Sequence, residues 1–386
     1  VEEIGREDGP HAPTMLAIHE HGIEDGFDDS EMSEVAALNE ATPKGRTDLT
    51  TTPLLTIDPV DARDHDDAVW AAPDDDEKSP GGFRVIVAIA DVSWFVRAGS
   101  ATDREAEERG NSIYLPDRVV PMLPEALSNV LCSLKEGVDR PCLAVEIFLS
   151  AGGQKQRHRF MRAMMRSAAK LSYDAAQAII DGAEANDEAV GRTVRCLHEA
   201  YRARLKERER RGPLDLDLPE RKIVLKPDGT VEKVVRRERF DAHKLIEEFM
   251  ILANVAAAET LEEKRTPQIY RVHDAPDPEK IENVRNYLAD LDYSLVKGGS
   301  LRPANFNQLL KLADARGQKE LVSEIVLRSQ SQAVYASENL GHFGLNLARY
   351  SHFTSPIRRY ADLTVHRALV AACRLGEGAQ TAHEAA

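Results

Sequence analysis

The first half of the chain is marked by short apolar runs rich in β-branched residues, the pattern of β-strands. Residues 54–58 and 67–72 predict two short strands on either side of an acidic loop. The segment FRVIVAIADVSWFV (83–96) is apolar almost throughout, which is typical of a central strand buried on both faces. Another strand is predicted at CLAVEIFLS (142–150), and RHRFMRAMMRS (157–167) is a candidate partner for it. This half of the chain therefore predicts a β-sheet.

From residue 174 onward the apolar positions change to helical spacing. A long charged helix is predicted from about 187 to 211, and residues 241–264 predict a strongly amphipathic one. Between them KIVLKPDGTVEKVVR (222–236) carries a Pro-Asp-Gly turn and predicts a short β-hairpin. Further helices are predicted near residues 277–291, 303–315, 319–335 and 356–374. The expected fold class is α+β, with a mixed β-sheet core packed against a helical second half.

The two ends of the chain differ from the part between them. Residues 1–50 are acidic and predict a linker or lead-in segment with one short helix at 31–39, not a domain. Residues 51–374 then form one large domain, and a small polar tail follows at 375–386. We therefore expect a single α+β domain with short extensions.

Composition narrows the functional classes. The sequence has no apolar run of about 18 residues and no secretory signal, so no membrane association is expected. Its four cysteines are widely spaced and form no CxxC pair, so they support neither a zinc site nor a disulfide framework. The expected location is the reducing cytoplasm. No protein partner is indicated.

The net charge of −15 argues against a nucleic-acid binder, because such proteins usually carry a basic footprint. The basic residues are nevertheless clustered, at 157–166 and 201–211 among other places. A basic channel inside an acidic shell is compatible with that pattern. For 201–211 a second interpretation stays open, namely a solvated helix with ion pairs at i,i+4 spacing.

Five aspartates fall within ten residues, namely Asp58, Asp61, Asp64, Asp66 and Asp67. Apolar strands frame the cluster, so its carboxylates would be held close together and would repel one another unless a cation lay between them. Hard oxygen ligands favour Mg²⁺, with Mn²⁺ as an alternative, and the spacing does not fit a calcium EF-hand. Such a site suits phosphodiester hydrolysis, in which a metal ion activates water. The alternative is a solvated acidic loop.

The second dense motif is HFTSPIRRYADLTVHR (352–367). It predicts a helix start, with Ser355 as the N-cap and Pro356 at the first helical position. Arg358 and Arg359 would then lie in the first helical turn, where cations oppose the helix dipole. A phosphate bound at the helix N-terminus would explain them. The alternative is an ordinary capped helix with surface arginines.

Together these motifs resemble the catalytic domain of the ribonuclease II / ribonuclease R family, over about residues 45–372. TIDPVDARDHDDA closely matches the family's aspartate motif, and further family segments resemble RGNSIYLPDRVVPMLPEALSN, HKLIEEFMILAN, YRVHD and HFTSPIRRYADL, in the same order. The resemblance implies a metal-dependent hydrolytic exoribonuclease that degrades single-stranded RNA processively, 3′→5′, to 5′-mononucleotides. Two rival hypotheses are a non-catalytic RNA-binding module with the same fold and a phosphodiesterase that acts on DNA or small nucleotides.

The resemblance also implies roles for individual residues. Four positions match the family's metal-binding and catalytic aspartates, namely Asp58, Asp64, Asp66 and Asp67. We expect Asp66 to be catalytic as well as a metal ligand, whereas Asp61 matches a variable position. Tyr114, in SIYLP, matches the aromatic residue that stacks on the 3′-terminal base, a contact that accepts all four bases.

The remaining site residues come from the second half of the chain. Glu247 or Glu248 matches the helix carboxylate that meets the terminal ribose. Adjacent helical residues point about 100° apart, so only one of the two is expected to face the site. Arg358 matches the arginine at the scissile phosphate, which makes it both a catalytic and a substrate-binding residue. Arg359 is expected at a neighbouring phosphate.

Two features depart from the family pattern. In GPLDLDLPE (212–220) some family members place a second stacking aromatic residue, whereas this chain has only leucines there. The OB-fold RNA-binding domains that normally flank the catalytic domain are absent from this sequence. A two-sided aromatic clamp is therefore not expected from residues 212–220.

Overall fold

The computed structural model describes residues 9, 11–216, 218–296, 301–382 and 384–385. The strands, in chain order, are β1 (Thr47–Asp58), β2 (Asp67–Pro73), β3 (Phe83–Ala90), β4 (Ile113–Tyr114), β5 (Val119–Val120), β6 (Asp139–Leu149), β7 (Lys155–Ser172), β8 (Arg221–Leu225), β9 (Val231–Arg236), β10 (Tyr270–Val272) and β11 (Val334–Ala336). The helices are α1 (Ala12–Glu20), α2 (Asp29–Ala36), α3 (Val92–Phe95), α4 (Ala101–Arg109), α5 (Tyr173–Ile180), α6 (Glu188–Arg211), α7 (Asp241–Glu263), α8 (Pro278–Asp290), α9 (Pro303–Ala315), α10 (Lys319–Ser329) and α11 (Tyr360–Ala372).

Five of these strands close into a barrel in the order β1–β2–β3–β6–β7. β1 runs parallel to β7, and the other neighbouring pairs of the barrel are antiparallel, so the sheet is mixed as predicted. The predicted pairing of 142–150 with 157–167 is confirmed, since Cys142 lies opposite Ala163. The α+β prediction is correct, and the sheet is in addition closed on itself.

The continuous apolar sequence of β3 follows from its surroundings. Side chains on one face of the strand, such as Val85, pack in a core shared with α6, α7 and α11. Side chains on the other face, such as Ile86, pack in a second core with α3 and α4. Both residues are at most 1% exposed, so the strand has no solvent-facing side that would demand polar alternation there.

The helical second half divides into two parts. Helices α5, α6, α7 and α11 contribute to the core on the barrel, whereas α8, α9 and α10 enclose a small core of their own around Leu288, Phe306 and Val322. This three-helix lobe is joined to the rest through Leu214 and Phe343, which pack against it. Within the described part of the chain, no helix is both long and apolar enough to cross a membrane.

Some predicted element boundaries are wrong. The helix predicted at 319–335 ends at Ser329, and the short strand β11 follows it. The helix predicted at 356–374 begins only at Tyr360. The lead-in holds two helices, α1 and α2, and β1 already begins at Thr47. Residues 1–8 and 10 of that segment lie outside the described residues.

The polar tail packs against the domain where it is described. Arg162 donates a hydrogen bond to the backbone carbonyl of Leu375, at 3.2 Å, and another to that of Glu377. Arg367, which is buried, forms an ion pair of 2.6 Å with Glu384. Positions 383 and 386 of the tail lie outside the described residues. The segment after α11 is therefore tied to the barrel by buried arginines, even though its sequence is polar.

Candidate active site

The aspartate motif bridges two neighbouring barrel strands. Asp58 is the last residue of β1 and Asp67 is the first residue of β2. The loop between them is held from outside: the backbone N–H of Ala90 donates to the carbonyl oxygen of Asp66 at 2.8 Å, and the N–H of His65 donates to Ser133 Oγ at 3.0 Å. The strand ends and these two contacts bring the carboxylates to one place on the rim of the barrel.

The carboxylates at this rim carry more negative charge than their surroundings balance. Burial, together with the charge of Asp64, raises the pKa of Asp66 to about 8, although Arg358 acts in the opposite direction. Burial also raises the pKa of Asp67 well above its ordinary value, with the charges of Asp58 and Asp66 adding to the effect. Asp61, by contrast, is exposed in the loop.

The segment before α11 faces the aspartates. Asp66 Oδ1 accepts a hydrogen bond from the backbone N–H of Ile357 at 2.9 Å, and Arg358 Nε lies 3.6 Å from Asp66 Oδ2. Arg358 also donates to Ser355 Oγ at 2.8 Å. Asp66 and Ile357 are 291 positions apart in sequence, so the two motifs meet only through the tertiary fold.

The prediction that Ser355 caps a helix containing Arg358 and Arg359 is wrong. Because α11 begins at Tyr360, both arginines precede the helix and the argument from the helix dipole does not apply to them. The N–H of Ser355 instead donates to Asp362 Oδ1 at 2.8 Å, and Arg359 makes two hydrogen bonds of 2.7 Å to the same carboxylate. Asp362 is fully buried, so Arg359 is committed to a carboxylate inside the protein.

Tyr114 lies beside this pair of motifs, in the short hairpin of β4 and β5. Its side chain is 54% exposed, and its hydroxyl is 3.4 Å from Asp64 Oδ2. Burial of the hydroxyl, followed by the charge of Asp64, raises the pKa of Tyr114 to about 12. The N–H of Ser112 donates to the carbonyl of Arg358 at 3.0 Å, which fixes the hairpin to the arginine segment.

The two candidate glutamates of α7 have different environments. Glu248 is 1% exposed and is enclosed by three arginines of α6, with distances of 3.1 Å to Arg204, 3.3 Å to Arg208 and 3.4 Å to Arg211. Glu248 therefore serves the packing of α6 on α7, and its role as a substrate contact stays a prediction. Glu247 is more accessible and pairs with Arg239 at 2.5 Å, so it remains the candidate ribose contact.

Two residues at the site were not predicted from the sequence. His65 Nδ1 lies 2.7 Å from Asp58 Oδ2. Tyr173 follows Ser172, which pairs with Asp58 across β1 and β7, and burial together with the charges of Asp67 and Asp58 raises the pKa of its hydroxyl. Its ring is stacked on His243 at 3.9 Å. His65 stands inside the motif and could have been noticed there, whereas Tyr173 depends on a strand register that the sequence does not display.

The donor atoms at the rim suit a hard cation, but some of them are already engaged by other groups of the protein. Among the described residues, no group of three or more histidine, cysteine, aspartate or glutamate side chains is already arranged to hold a metal ion. Asp58 is turned to His65, and Asp66 to Ile357 and Arg358. Burial raises the pKa of Asp67, and repulsion from Asp58 and Asp66, which a divalent cation would relieve, adds to the effect. The carboxylates thus fit such an ion chemically.

Comparison with known proteins gives consistent results. Ribonuclease R of Vibrio parahaemolyticus is 42% identical over 376 residues, which are 96% of this chain and 45% of that protein. Ribonuclease R of Escherichia coli is also 42% identical, over 96% of this chain and 46% of its own length. The chain thus spans about half the length of the curated relatives it matches.

Solved structures show the same relationship. The structure of Mycoplasma genitalium RNase R in complex with ribose-methylated single-stranded RNA matches with a TM-score of 0.90 and 30% identity, over 95% of this chain and 58% of that one. Yeast Ssd1, a pseudonuclease, matches with a TM-score of 0.77 at 18% identity over 97% of this chain and 47% of that one, a likeness of fold alone. The family model of the RNB domain matches residues 46–374. Since that match covers most of the sequence, this chain belongs to the RNB domain family.

Proposed function

We propose that this chain is the catalytic domain of a metal-dependent 3′→5′ exoribonuclease that acts in the cytoplasm and hydrolyses single-stranded RNA processively to 5′-mononucleotides. The observation that carries the proposal is the crowding of three carboxylates, those of Asp58, Asp66 and Asp67, with Arg358 as the cation beside Asp66. The curated relatives named ribonuclease R support the reaction class. We assign the activity to the domain predicted at residues 51–374.

The cofactor of this proposal is Mg²⁺, with Mn²⁺ as a substitute. RNB-family enzymes generally depend on a divalent metal, and carboxylate oxygens favour these two ions over softer metals. Four aspartates would hold the ion, namely Asp58, Asp64, Asp66 and Asp67. A bound ion would supply an activated water, and a second ion would stabilise the leaving 3′-oxygen.

The protein's own groups orient the RNA and balance its charge. Arg358 has a guanidinium that is always protonated and can form two parallel hydrogen bonds to a phosphate. Its position 3.6 Å from Asp66 would place that phosphate against the carboxylates. Tyr114, which is exposed next to Asp64, offers a ring face to the 3′-terminal base. Glu247 is the candidate contact for the terminal ribose, and Arg359 supports Asp362 in addition to any phosphate contact.

Single-stranded RNA is the proposed partner. The M. genitalium RNase R structures include one with ribose-methylated single-stranded RNA and one with double-stranded RNA, and that protein shares the fold of this chain. The rival hypothesis of a non-catalytic module is realistic for this fold, since yeast Ssd1 is described as a pseudonuclease. The intact aspartate motif of this chain favours catalysis over that alternative.

The decisive experiment is digestion of end-labelled RNA and of DNA of the same sequence. With Mg²⁺, we expect 5′-labelled RNA to shorten progressively from its 3′ end and to release mononucleotides, whereas DNA stays intact. EDTA should abolish the reaction, and added Mg²⁺ should restore it. RNA binding without any cleavage would support the non-catalytic alternative, and equal cleavage of DNA would support a general phosphodiesterase.

A further inference from the structure

A second exposed tyrosine, Tyr335, belongs to the short sheet of β10 and β11. Tyr335 lies in β11, which pairs with β10 so that Tyr335 is directly opposite Arg271. The Tyr335 side chain is 41% exposed, and the guanidinium of Arg271 lies over its ring, 4.7 Å from the centroid. The sequence analysis assigned no role to Tyr335 or Arg271.

The hydroxyl end of Tyr335 is fixed by a buried scaffold. Tyr335 Oη and His352 Nδ1 share a hydrogen bond of 2.8 Å, and the His352 ring packs edge-on against Tyr350 with centroids 5.6 Å apart. Tyr350 is in turn held by Asn254 of α7, at 2.9 Å between Nδ2 and Oη. A ring held by this chain of contacts loses little conformational freedom when a ligand binds to it.

The same scaffold relates Tyr335 to the candidate active site. His352 opens the segment 352–359, which carries Arg358 and Arg359. Burial, followed by the charge of Asp362, raises the pKa of the Tyr335 hydroxyl, and the charges of Arg359, Arg271 and Arg358 act against that effect. Arg358 acts on the pKa of Tyr114 in the same way. The charge of the arginine that we assign to the scissile phosphate therefore acts on both exposed tyrosines.

The charge of Arg271 distinguishes this pair from an ordinary surface contact. In the described part of the chain, Arg271 is not joined to any carboxylate by an ion pair. Another arginine over an aromatic ring, Arg84 over Trp70, forms an ion pair with the buried Glu146. The Arg84 pair is therefore neutralised within the protein, whereas Arg271 keeps a charge that an anion can use.

We propose that Tyr335 and Arg271 form a second nucleotide-binding position, in which Tyr335 stacks on the base 5′ of the scissile phosphate and Arg271 contacts the adjoining backbone phosphate. The proposal rests on the proposed function, because that function sets the polarity of the strand between Tyr114 and Tyr335. It supplies the second aromatic wall that the leucines of 212–220 do not provide. Stacking and a single charge contact do not select among bases, as a processive enzyme requires.

Binding of fluorescent oligoadenylates in EDTA tests the proposal without any cleavage. One oligonucleotide is unmodified, and the others carry a single abasic ribose at successive positions from the 3′ end. For Tyr335→Ala we expect Kd for the unmodified strand to rise roughly 5- to 150-fold, the range of one lost base stack. Tyr335→Phe should bind like the parent, because it keeps the ring and loses only the bond to His352. Tyr287, an exposed tyrosine of α8, provides the matched control in Tyr287→Ala.

The abasic series separates stacking from a general disturbance of the loop. In the parent protein, an abasic ribose one nucleotide 5′ of the terminal residue should weaken binding about as much as Tyr335→Ala does. In Tyr335→Ala that penalty should vanish, while the penalty at the terminal nucleotide remains. An unchanged abasic profile in Tyr335→Ala, or a Kd equal to that of the parent, would overturn the second position. Failure of the parent to release mononucleotides with Mg²⁺ would instead refute the proposed function, and a parent that does not bind RNA at all would overturn both.

Discussion

Two buried aspartates next to strands of the same barrel, Asp66 and Asp91, have pKa values that are shifted in opposite directions. Asp91 immediately follows β3 and receives two hydrogen bonds from Arg162, at 2.6 and 2.9 Å, and one from Arg46 at 2.8 Å. Asp66 receives one backbone hydrogen bond, from Ile357, and has Arg358 only at 3.6 Å. The two residues are almost equally buried, since Asp66 is 5% exposed and Asp91 is 0% exposed.

Their pKa values follow from these partners. Burial alone would raise the pKa of Asp91, but the hydrogen bonds and charges of Arg162 and Arg46 lower it to about 2. At Asp66 burial prevails and the pKa rises to about 8. A carboxylate whose charge is compensated stabilises the fold, whereas one whose charge is left uncompensated favours the binding of a cation. The comparison therefore supports a structural role for Asp91 and the proposed functional role for Asp66, and substitutions at either residue test it.

The largest expected effect is that of Asp66→Asn on cleavage. Loss of a metal-holding carboxylate should reduce mononucleotide release more than about 10³-fold. The melting temperature should stay the same or rise, because one of several repelling charges is removed. Release of mononucleotides and thermal unfolding are measured on the same preparation. Asp61→Asn, in the exposed part of the same loop, is the control and should match the parent in both assays. Full activity in Asp66→Asn would contradict the assignment of the site.

Arg358→Lys tests whether Arg358 acts through the planar geometry of its guanidinium group as well as through its charge. Lysine keeps the charge but loses the planar pair of donors that matches a phosphate. We expect turnover to fall roughly 10²–10³-fold, with a smaller change in RNA affinity. Single-turnover cleavage and equilibrium binding separate the two quantities. Arg192→Lys, at an exposed ion pair of α6, controls for the substitution itself. Normal turnover in Arg358→Lys would leave Arg358 as a structural partner of Asp66 and Ser355.

Asp91→Asn should lower stability and leave cleavage unchanged, the reverse of the effects expected for Asp66→Asn. The substitution leaves Arg162 and Arg46 buried without a counter-charge, a change that costs about 3–5 kcal/mol of unfolding free energy. Cleavage per folded molecule should be unchanged, since Asp91 faces arginines and not the site. Asp139→Asn removes an exposed partner of Arg166 and should cost no more than about 1 kcal/mol. Urea unfolding measures both, and an Asp91→Asn protein as stable as the parent would contradict the comparison.

Lowering the pH removes the charge of Asp91 by protonation, without a substitution. The folded-state pKa of Asp91, about 2, lies below its ordinary value of 3.8, so its contribution is complete above pH 3.8 and is lost as the pH falls towards 2. The shift corresponds to about 2 kcal/mol of unfolding free energy. Subtracting the unfolding curves of Asp91→Asn from those of the parent isolates this contribution. A difference that stays constant between pH 5 and pH 2 would mean that Asp91 does not titrate as described.

Local sequence pattern was sufficient for most of the elements. The strands around β3 and β6, the long helices α6 and α7, and the hairpin of β8 and β9 all follow from runs and periodicities within the elements themselves. The start of α11 did not, because Ser355 and Pro356 form a good local helix start. Asp362, which lies seven residues after Ser355, accepts its N–H and holds Arg359, so residues 356–358 form a turn and the helix begins only at Tyr360.

What the sequence alone determined is the family and the cluster of aspartates on which the proposed site rests, because both follow from contiguous motifs. Only the tertiary structure decided which charges are compensated. Asp66 meets Ile357 across 291 residues, and Glu248 rather than Glu247 is enclosed by the arginines of α6. The pKa of a buried carboxylate depends on its distance to cations and on the exclusion of water, and both are set by packing between segments that are remote in sequence. For that reason Asp66 and Asp91 look alike in the sequence, whereas in the fold the pKa of Asp66 is raised and that of Asp91 is lowered.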